Sequence, residues 1–116
     1  MPAKALTGAS AQTIVLSILE DGETYGYHII RRVEQLSDGE VTWVAGSLYP
    51  LLHRMKTSGL VTSRWVQPEG ERRRRYYAIT PKGRKKLEAE QAEWMSVHTI
   101  LARLWGLQPG LSPVQS

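Results

Sequence analysis

The order of the secondary-structure signals constrains the fold of this chain more than any other feature. Three helical patterns come first, a lone β-hairpin follows, and a long helical pattern comes last. The hairpin consists of two stretches rich in β-branched and aromatic residues, 60–66 and 74–80, on either side of the turn residues Pro68 and Gly70. This order predicts a mainly α protein with a two-stranded β-wing, in the α+β class.

The first two helical patterns predict a buried helix followed by an amphipathic one. In 11–22, isoleucine, valine and leucine cover most of the circumference, so this helix should be buried on more than one side. In 25–37 the apolar residues recur at spacings of three and four, and polar residues occupy the opposite side. The apolar positions of this second helix are Tyr25, Ile29, Val33 and Leu36.

The third helical pattern lies within 41–59 and contains a proline. Its apolar face consists of Leu48, Leu51, Leu52 and Met55. Pro50 lacks an N–H group, so it fits best in the first turn, where that donor is unused. We therefore expect Ser47 to be the N-cap, which makes Pro50 the third helical residue. A start at Ala45 is the alternative.

The last helical pattern is long and has an apolar stripe that one copy of the chain has little material to cover. Thr80 and Pro81 resemble an N-cap and a first helical residue, and the helix should run to about residue 105. The stripe recurs at heptad-like spacing and consists of Leu87, Trp94, Val97, Leu101 and Leu104. A second copy of the chain could cover it, so we expect a homodimer with these residues in the interface.

Positive charge is concentrated in the hairpin and the start of the last helix. The whole chain has a net charge of +4. Residues 64–86 hold nine basic residues against Glu69 and Glu71, a net +7, so the rest of the chain carries −3. Within this window, Arg72 to Arg75 form an uninterrupted row of four arginines. A local excess of this kind in a folded domain indicates a polyanionic partner.

Three helices followed by a two-stranded wing are the order of a winged helix-turn-helix, and the charge suits double-stranded DNA. The third helix would occupy the major groove while the wing arginines reach a neighbouring backbone or minor groove. The expected DNA-binding residues are Ser47, Tyr49, Arg54, Lys56, Arg72, Arg73 and Arg74. Bound phosphates would relieve the repulsion within the arginine row.

The chain is therefore expected to have three parts. Residues 1–80 would be the winged helix-turn-helix DNA-binding domain, and residues 81–106 a C-terminal dimerisation helix. Residues 107–116 are rich in glycine, proline and serine and would form a flexible tail.

Four segments also resemble the PadR family of transcriptional regulators, specifically its short subgroup with one C-terminal helix. They are YGYHII (25–30), GSLYPLLHRM (46–55), SGLV (58–61) and RRYYAITPKGR (74–84). The resemblance implies a homodimeric repressor that binds an inverted-repeat operator and dimerises through its first and last helices. It also implies roles in DNA binding for Ser47, Tyr49, Pro50 and the wing arginines, and, in some members, release by a small aromatic inducer.

Trp94 has two interpretations, which the sequence leaves open. It could pack as a core residue of the dimer seam. Alternatively, Glu90 and Gln91 break the apolar stripe, so that the two copies could pack loosely there and leave a cavity for a planar aromatic ligand. The candidate ligand-binding residues are Trp94, Val97 and His98. Tyr77 and Ile79 are expected in the core, and Trp43 and Trp65 are expected to pack near the wing.

Several function classes find no support in the sequence. Cysteine is absent, and the three histidines fall on three different helices without a second ligand at metal spacing, so we expect neither a metal nor a cofactor. No nucleophile–base constellation indicates an enzyme. No apolar run approaches the roughly 18 residues of a membrane span, and the start lacks a signal-peptide pattern, so a cytoplasmic location is expected. The alternative to a DNA-binding regulator is a small basic RNA-binding protein without a ligand response.

Overall fold

The computed structural model describes residues 4–5 and 9–107 and shows four helices and two small sheets among them. The expected flexible tail lies outside the described residues from position 108 onward. The helices are α1 (Ala9–Glu20), α2 (Gly26–Leu36), α3 (Ala45–Thr57) and α4 (Pro81–Leu104). The strands are β1 (Lys4–Ala5), β2 (Thr24–Tyr25), β3 (Val41–Thr42), β4 (Val61–Val66) and β5 (Arg74–Ile79).

The core lies where the first three helices, the hairpin and the first turns of α4 meet. Leu16 and Leu19 of α1, Ile29 of α2 and Leu52 of α3 are at most 1% exposed. The predicted apolar faces of the first three helices are therefore confirmed, with two exceptions in the second. Leu36 is 64% exposed because it is the last residue of α2, and Tyr25 is the N-cap that precedes α2 and belongs to strand β2.

The hairpin is confirmed, and a third strand extends it. β4 and β5 pair antiparallel, with Val61 opposite Ile79 and Trp65 opposite Arg75. β2 pairs antiparallel with the other edge of β5, so that Tyr25 lies opposite Tyr76. We call β4, β5 and the loop between them the wing. The sequence did not reveal β2 or the parallel β1–β3 pair, because a strand of two residues has no periodicity to detect.

The expected Ser47 cap of the third helix is wrong. α3 begins at Ala45, with Val44 as an N-cap in extended conformation. The Ser47 and Leu48 N–H groups both donate to the Val44 carbonyl oxygen, at 3.0 Å each. Pro50 is thus the sixth helical residue, and the helix tolerates it because Gly46, whose carbonyl loses its partner, is exposed to water.

The predicted start of α4 is confirmed, but one residue of its stripe was assigned wrongly. Thr80 is the N-cap, and its Oγ1 accepts a hydrogen bond from the Gly83 N–H at 3.0 Å. Leu87 was expected in the dimer interface, yet it is 0% exposed within the single chain and belongs to the core. The reason is that α4 packs on α1 before it leaves the domain, and Glu90 accepts hydrogen bonds there from Gln12 and Thr13.

No helix within residues 9–107 is both long enough and apolar enough to cross a bilayer.

Candidate nucleic-acid interface

The solvent-facing side of α3 presents the predicted recognition residues. Ser47, Tyr49 and Pro50 are exposed in the first half of the helix, while the apolar face on the other side is buried in the core. Arg54 and Lys56 are exposed in the last turn. The structure therefore places these five residues where a duplex could reach them, but Arg54 and Lys56 lie at the opposite end of the helix from Ser47.

The N-terminus of α3 is open for an anion. Val44 makes no side-chain capping hydrogen bond. The Ser47 N–H already donates to Val44, but the N–H groups before it have no partners within the helix, and the helix dipole makes this end positive. A phosphate can therefore be bound by the first turn of α3.

Tyr49 is held against the backbone of α2. Gly26 begins that helix, and its lack of a side chain leaves room for the Tyr49 ring, which would overlap any Cβ at position 26. Burial raises the pKa of the Tyr49 hydroxyl above its ordinary value, and Tyr77 and Tyr27 act in the same direction. The hydroxyl thus remains protonated at neutral pH and can donate a hydrogen bond to a phosphate or a base edge.

A cleft of about 470 Å³ separates α3 from the wing, and cations and aromatic rings alternate around it. We call it the arginine cleft. Its lining residues are Tyr25, Tyr27, Arg31, Tyr49, Trp65, Arg72, Arg73, Arg74, Arg75 and Tyr77. Of the predicted DNA-binding residues, four lie in the cleft: Tyr49, Arg72, Arg73 and Arg74. Ser47, Pro50, Arg54 and Lys56 lie outside its lining.

Aromatic rings hold the arginines on the wing side of the cleft. The guanidinium carbons of Arg73 and Arg75 lie 4.4 Å and 5.4 Å from the centroid of the Trp65 ring. Arg75 Nε also donates to Ser63 Oγ at 3.0 Å. Trp65 was expected to pack near the wing, but its side chain is 51% exposed and serves these arginines instead.

Tyr25 holds an arginine of the cleft in the same way, on the side that faces α2. The guanidinium carbon of Arg74 lies 4.3 Å from the centroid of its ring, and the Tyr76 ring is 5.4 Å away. The Tyr25 hydroxyl accepts a hydrogen bond from Arg31 Nη2 at 2.9 Å. These contacts depend on the pairing of β2 with β5, so the sequence alone gave no sign of them.

Three cations of the basic window have acidic partners on the protein. Arg74 Nη1 lies 3.9 Å from Glu71 Oε1 and Lys86 Nζ lies 3.8 Å from Glu90 Oε1, while Arg64 has the closest partner. Arg64 forms a bidentate ion pair with Glu23, whose two carboxylate oxygens accept from Nε and Nη2. The hydrogen bond from Arg64 lowers the pKa of Glu23, and the same bond raises the pKa of Arg64. Arg64 is therefore occupied on the surface of the sheet, whereas the four consecutive arginines line the cleft.

The second half of α4 carries an exposed apolar surface. Trp94 is 60% exposed, and Val97 and Leu104 are also exposed, while Leu101 is partly covered. The rings of Trp94 and His98 stack, with centroids 4.9 Å apart and planes 11° from parallel. The structure thus brings the three candidate ligand-binding residues together on one stretch of helix.

Two aromatic residues that were expected to pack are buried, although Tyr77 also contributes to the cleft lining. Tyr77 is 6% exposed and Trp43 is 3% exposed, which confirms both as packing residues, and Ile79 packs against the same core. Burial raises the pKa of Tyr77. Within residues 9–107, no group of three or more histidine, cysteine, aspartate or glutamate side chains could hold a metal ion.

A helical unit with an exposed third helix, an antiparallel wing and a basic cleft between them defines a winged helix-turn-helix protein. Comparison with known proteins identifies the family. The model of the Transcriptional regulator PadR-like family matches residues 15–89, so the chain belongs to this family of transcriptional regulators.

Individual relatives agree with this assignment. The chain is 34% identical over 95 residues to the transcriptional regulator YqjI of Escherichia coli K12, and the match covers 80% of this chain but only 44% of that protein. A PadR-like transcriptional regulator from Bacillus cereus has 30% identity and a TM-score of 0.73, over 84% of this chain and 92% of that one. A PadR family regulator from Clostridium difficile R20291 has 28% identity and a TM-score of 0.72, over 84% and 99%.

Proposed function

We propose that this protein is a repressor that binds an inverted-repeat operator in double-stranded DNA as a homodimer. The observation that carries the proposal is the arginine cleft, which adjoins the exposed face of α3 and contains all four consecutive arginines. α3 would enter the major groove, and the wing would follow the adjacent phosphates. Tyr49 lies at the junction of the two and would contribute to sequence reading.

The shape of the surface favours a duplex over RNA. RNA-binding modules usually stack unpaired bases on the open face of a broad sheet. Here the sheet has three strands, one of them only two residues long, and the exposed Trp65 ring of the wing is already engaged by Arg73 and Arg75. A small basic RNA-binding protein remains the alternative, and direct competition between duplex DNA and structured RNA separates the two.

The exposed stripe of α4 supports dimerisation. Trp94, Val97 and Leu104 would leave a contiguous apolar surface in water if the chain stayed monomeric. A two-fold dimer would bury this surface and would present two copies of α3. Half-sites about one helical turn apart, roughly 10 base pairs, would then match their separation.

The stack of Trp94 and His98 supports a further proposal, that a planar aromatic compound binds between the two subunits and weakens DNA binding. Trp94 offers a flat surface for offset stacking, and Val97 and His98 would complete the wall. α4 follows the wing directly through Thr80, so a change in the angle between the two α4 helices would change the separation of the two α3 helices. Ligand and operator would therefore oppose each other reciprocally.

Selection from a random duplex pool tests the function. The wild-type protein should enrich a motif with two-fold symmetry and half-sites about 10 base pairs apart. The Tyr49→Ala variant should lose more affinity for the enriched duplex than for a scrambled one. No enrichment from the duplex pool, together with enrichment from an RNA pool of equal length, would refute the proposal and support the alternative.

A further inference from the structure

We propose that Trp65 is a positioning residue, whose indole ring holds Arg73 and Arg75 ready for DNA phosphates. The inference rests on the proposed DNA-binding function and adds to it a residue that neither the charge pattern nor the recognition helix would suggest. Its starting point is the 51% exposure of Trp65, next to last in β4, because a ring left half in water gains little from burial.

The register of the hairpin explains why two arginines share this ring. Trp65 lies directly opposite Arg75, so the two side chains project from the same face of the sheet. Arg73 precedes Arg75 by two positions and reaches the same ring, with its guanidinium carbon 4.4 Å from the centroid. Ser63 Oγ, two positions before Trp65 on β4, accepts from Arg75 Nε and so gives the second guanidinium another fixed contact.

The arrangement has a consequence for binding. Two neighbouring cations repel each other, so unsupported arginine side chains would spread apart in the free protein. They would also lose rotamer freedom when they bind a phosphate, which reduces the free energy of binding. Attraction to the face of an indole ring opposes both effects. Trp65 would therefore raise affinity for DNA without a charge and without a contact to DNA of its own.

The test is a double-mutant cycle on DNA binding, with the selected operator as probe. Trp65→Leu removes the aromatic face, Trp65→Phe keeps one, and Arg73→Gln with Arg75→Gln removes the two cations. With both arginines present, we expect Trp65→Leu to weaken binding about tenfold, and Trp65→Phe about twofold, since each lost cation–π contact contributes a modest factor. With both arginines replaced, Trp65→Leu should change affinity by less than about twofold.

The salt dependence provides a second readout that a merely structural role would not reproduce. Trp65→Leu keeps every cation, so its slope of log affinity against log salt should equal that of the wild type. Replacing both Arg73 and Arg75 with Gln should make this negative slope shallower by about one unit per lost contact. A thermal melt of each variant confirms that the hairpin is intact, and recovery of affinity in Trp65→Phe excludes a loss of folding as the cause.

Two results would overturn the inference. An equal loss from Trp65→Leu in both arginine backgrounds would mean that the ring acts by itself, for example by stacking on a base. Wild-type affinity in Trp65→Leu would mean that the arginines need no platform. Both results presuppose a wild-type chain that binds duplex DNA, and a wild type that does not bind would instead refute the proposed function.

Discussion

Replacing Gly26 with alanine should displace Tyr49 from the arginine cleft without changing any charge in the interface. A Cβ at position 26 would lie 2.6 Å from Tyr49 Cζ and closer still to its hydroxyl oxygen. Non-bonded carbon atoms prefer a separation of about 3.5 Å. The ring must therefore move by about 1 Å, and it can do so because it is the far end of a rotatable side chain.

The size of the effect follows from the hydrogen bond that Tyr49 would make. A displacement of about 1 Å takes the hydroxyl out of hydrogen-bonding geometry, and the net value of such a bond is about 0.5–1.5 kcal/mol. Operator affinity should fall about twofold to tenfold. The fold itself should survive, because the atoms that must move are the far end of a rotatable side chain and none of them is a backbone atom.

The assay is fluorescence anisotropy with the selected operator, run beside a thermal melt. Gly46→Ala is the matched control for stability, since a Cβ there would meet nothing within 4 Å in the protein. In a Tyr49→Ala background, Gly26→Ala should have no further effect on binding, because no ring is left to displace. A loss of equal size with and without the Tyr49 ring would refute the reasoning.

Three further predictions concern stability, assembly and ligand binding. Gly83→Ala should destabilise the protein by about 1–3 kcal/mol. The new Cβ would lie 2.8 Å from Ile79 Cγ1 and closer still to the Leu60 carbonyl oxygen, which belongs to the backbone and cannot rotate away. Chemical denaturation measures the loss, and an unchanged midpoint would contradict the prediction. Leu104→Glu should convert a dimer into a monomer in light scattering at micromolar concentration, since it puts charge into the exposed stripe of α4, and a wild type that is already monomeric would contradict the dimer. Trp94→Ala should abolish the fluorescence quenching that planar dyes cause in the wild type, provided that light scattering still shows a dimer, and quenching that survives in an intact dimer would place the ligand elsewhere.

The sequence predicted the fold well where periodicity carried the signal. The four helices and the β4–β5 hairpin extend over many residues, so their apolar spacing and their turn residues define them without tertiary information. Thr80 and Pro81 likewise mark a helix start by local chemistry alone, and the Gly83 N–H does donate to Thr80 Oγ1. The PadR family assignment is confirmed for the same reason, since its motifs are local.

The sequence failed where the outcome depends on packing between distant segments. Leu87 shares the heptad spacing of the α4 stripe, but it is buried in the core because α1 packs against this part of α4. Spacing alone does not show where that contact ends and the exposed part of the stripe begins. Trp65 and Tyr25 have no signal of their own as supports for arginine, because both contacts arise from strand pairing. Ser47 was the better cap by residue type, yet the helix starts three residues earlier, with Val44 as the cap.

The salt dependence of operator binding tests most directly whether the arginine cleft is a DNA interface. The comparison needs two variants that lose the same charge: Arg73→Ala with Arg74→Ala in the cleft, and Arg84→Ala with Lys85→Ala on the exposed side of α4. If the cleft is a DNA interface, the cleft variant should make the negative slope of log affinity against log salt shallower by about two units, one per lost phosphate contact, and the α4 variant should leave it nearly unchanged. Equal slopes for the wild type and the cleft variant would contradict it, because the arginines of the cleft would then make no contact with DNA.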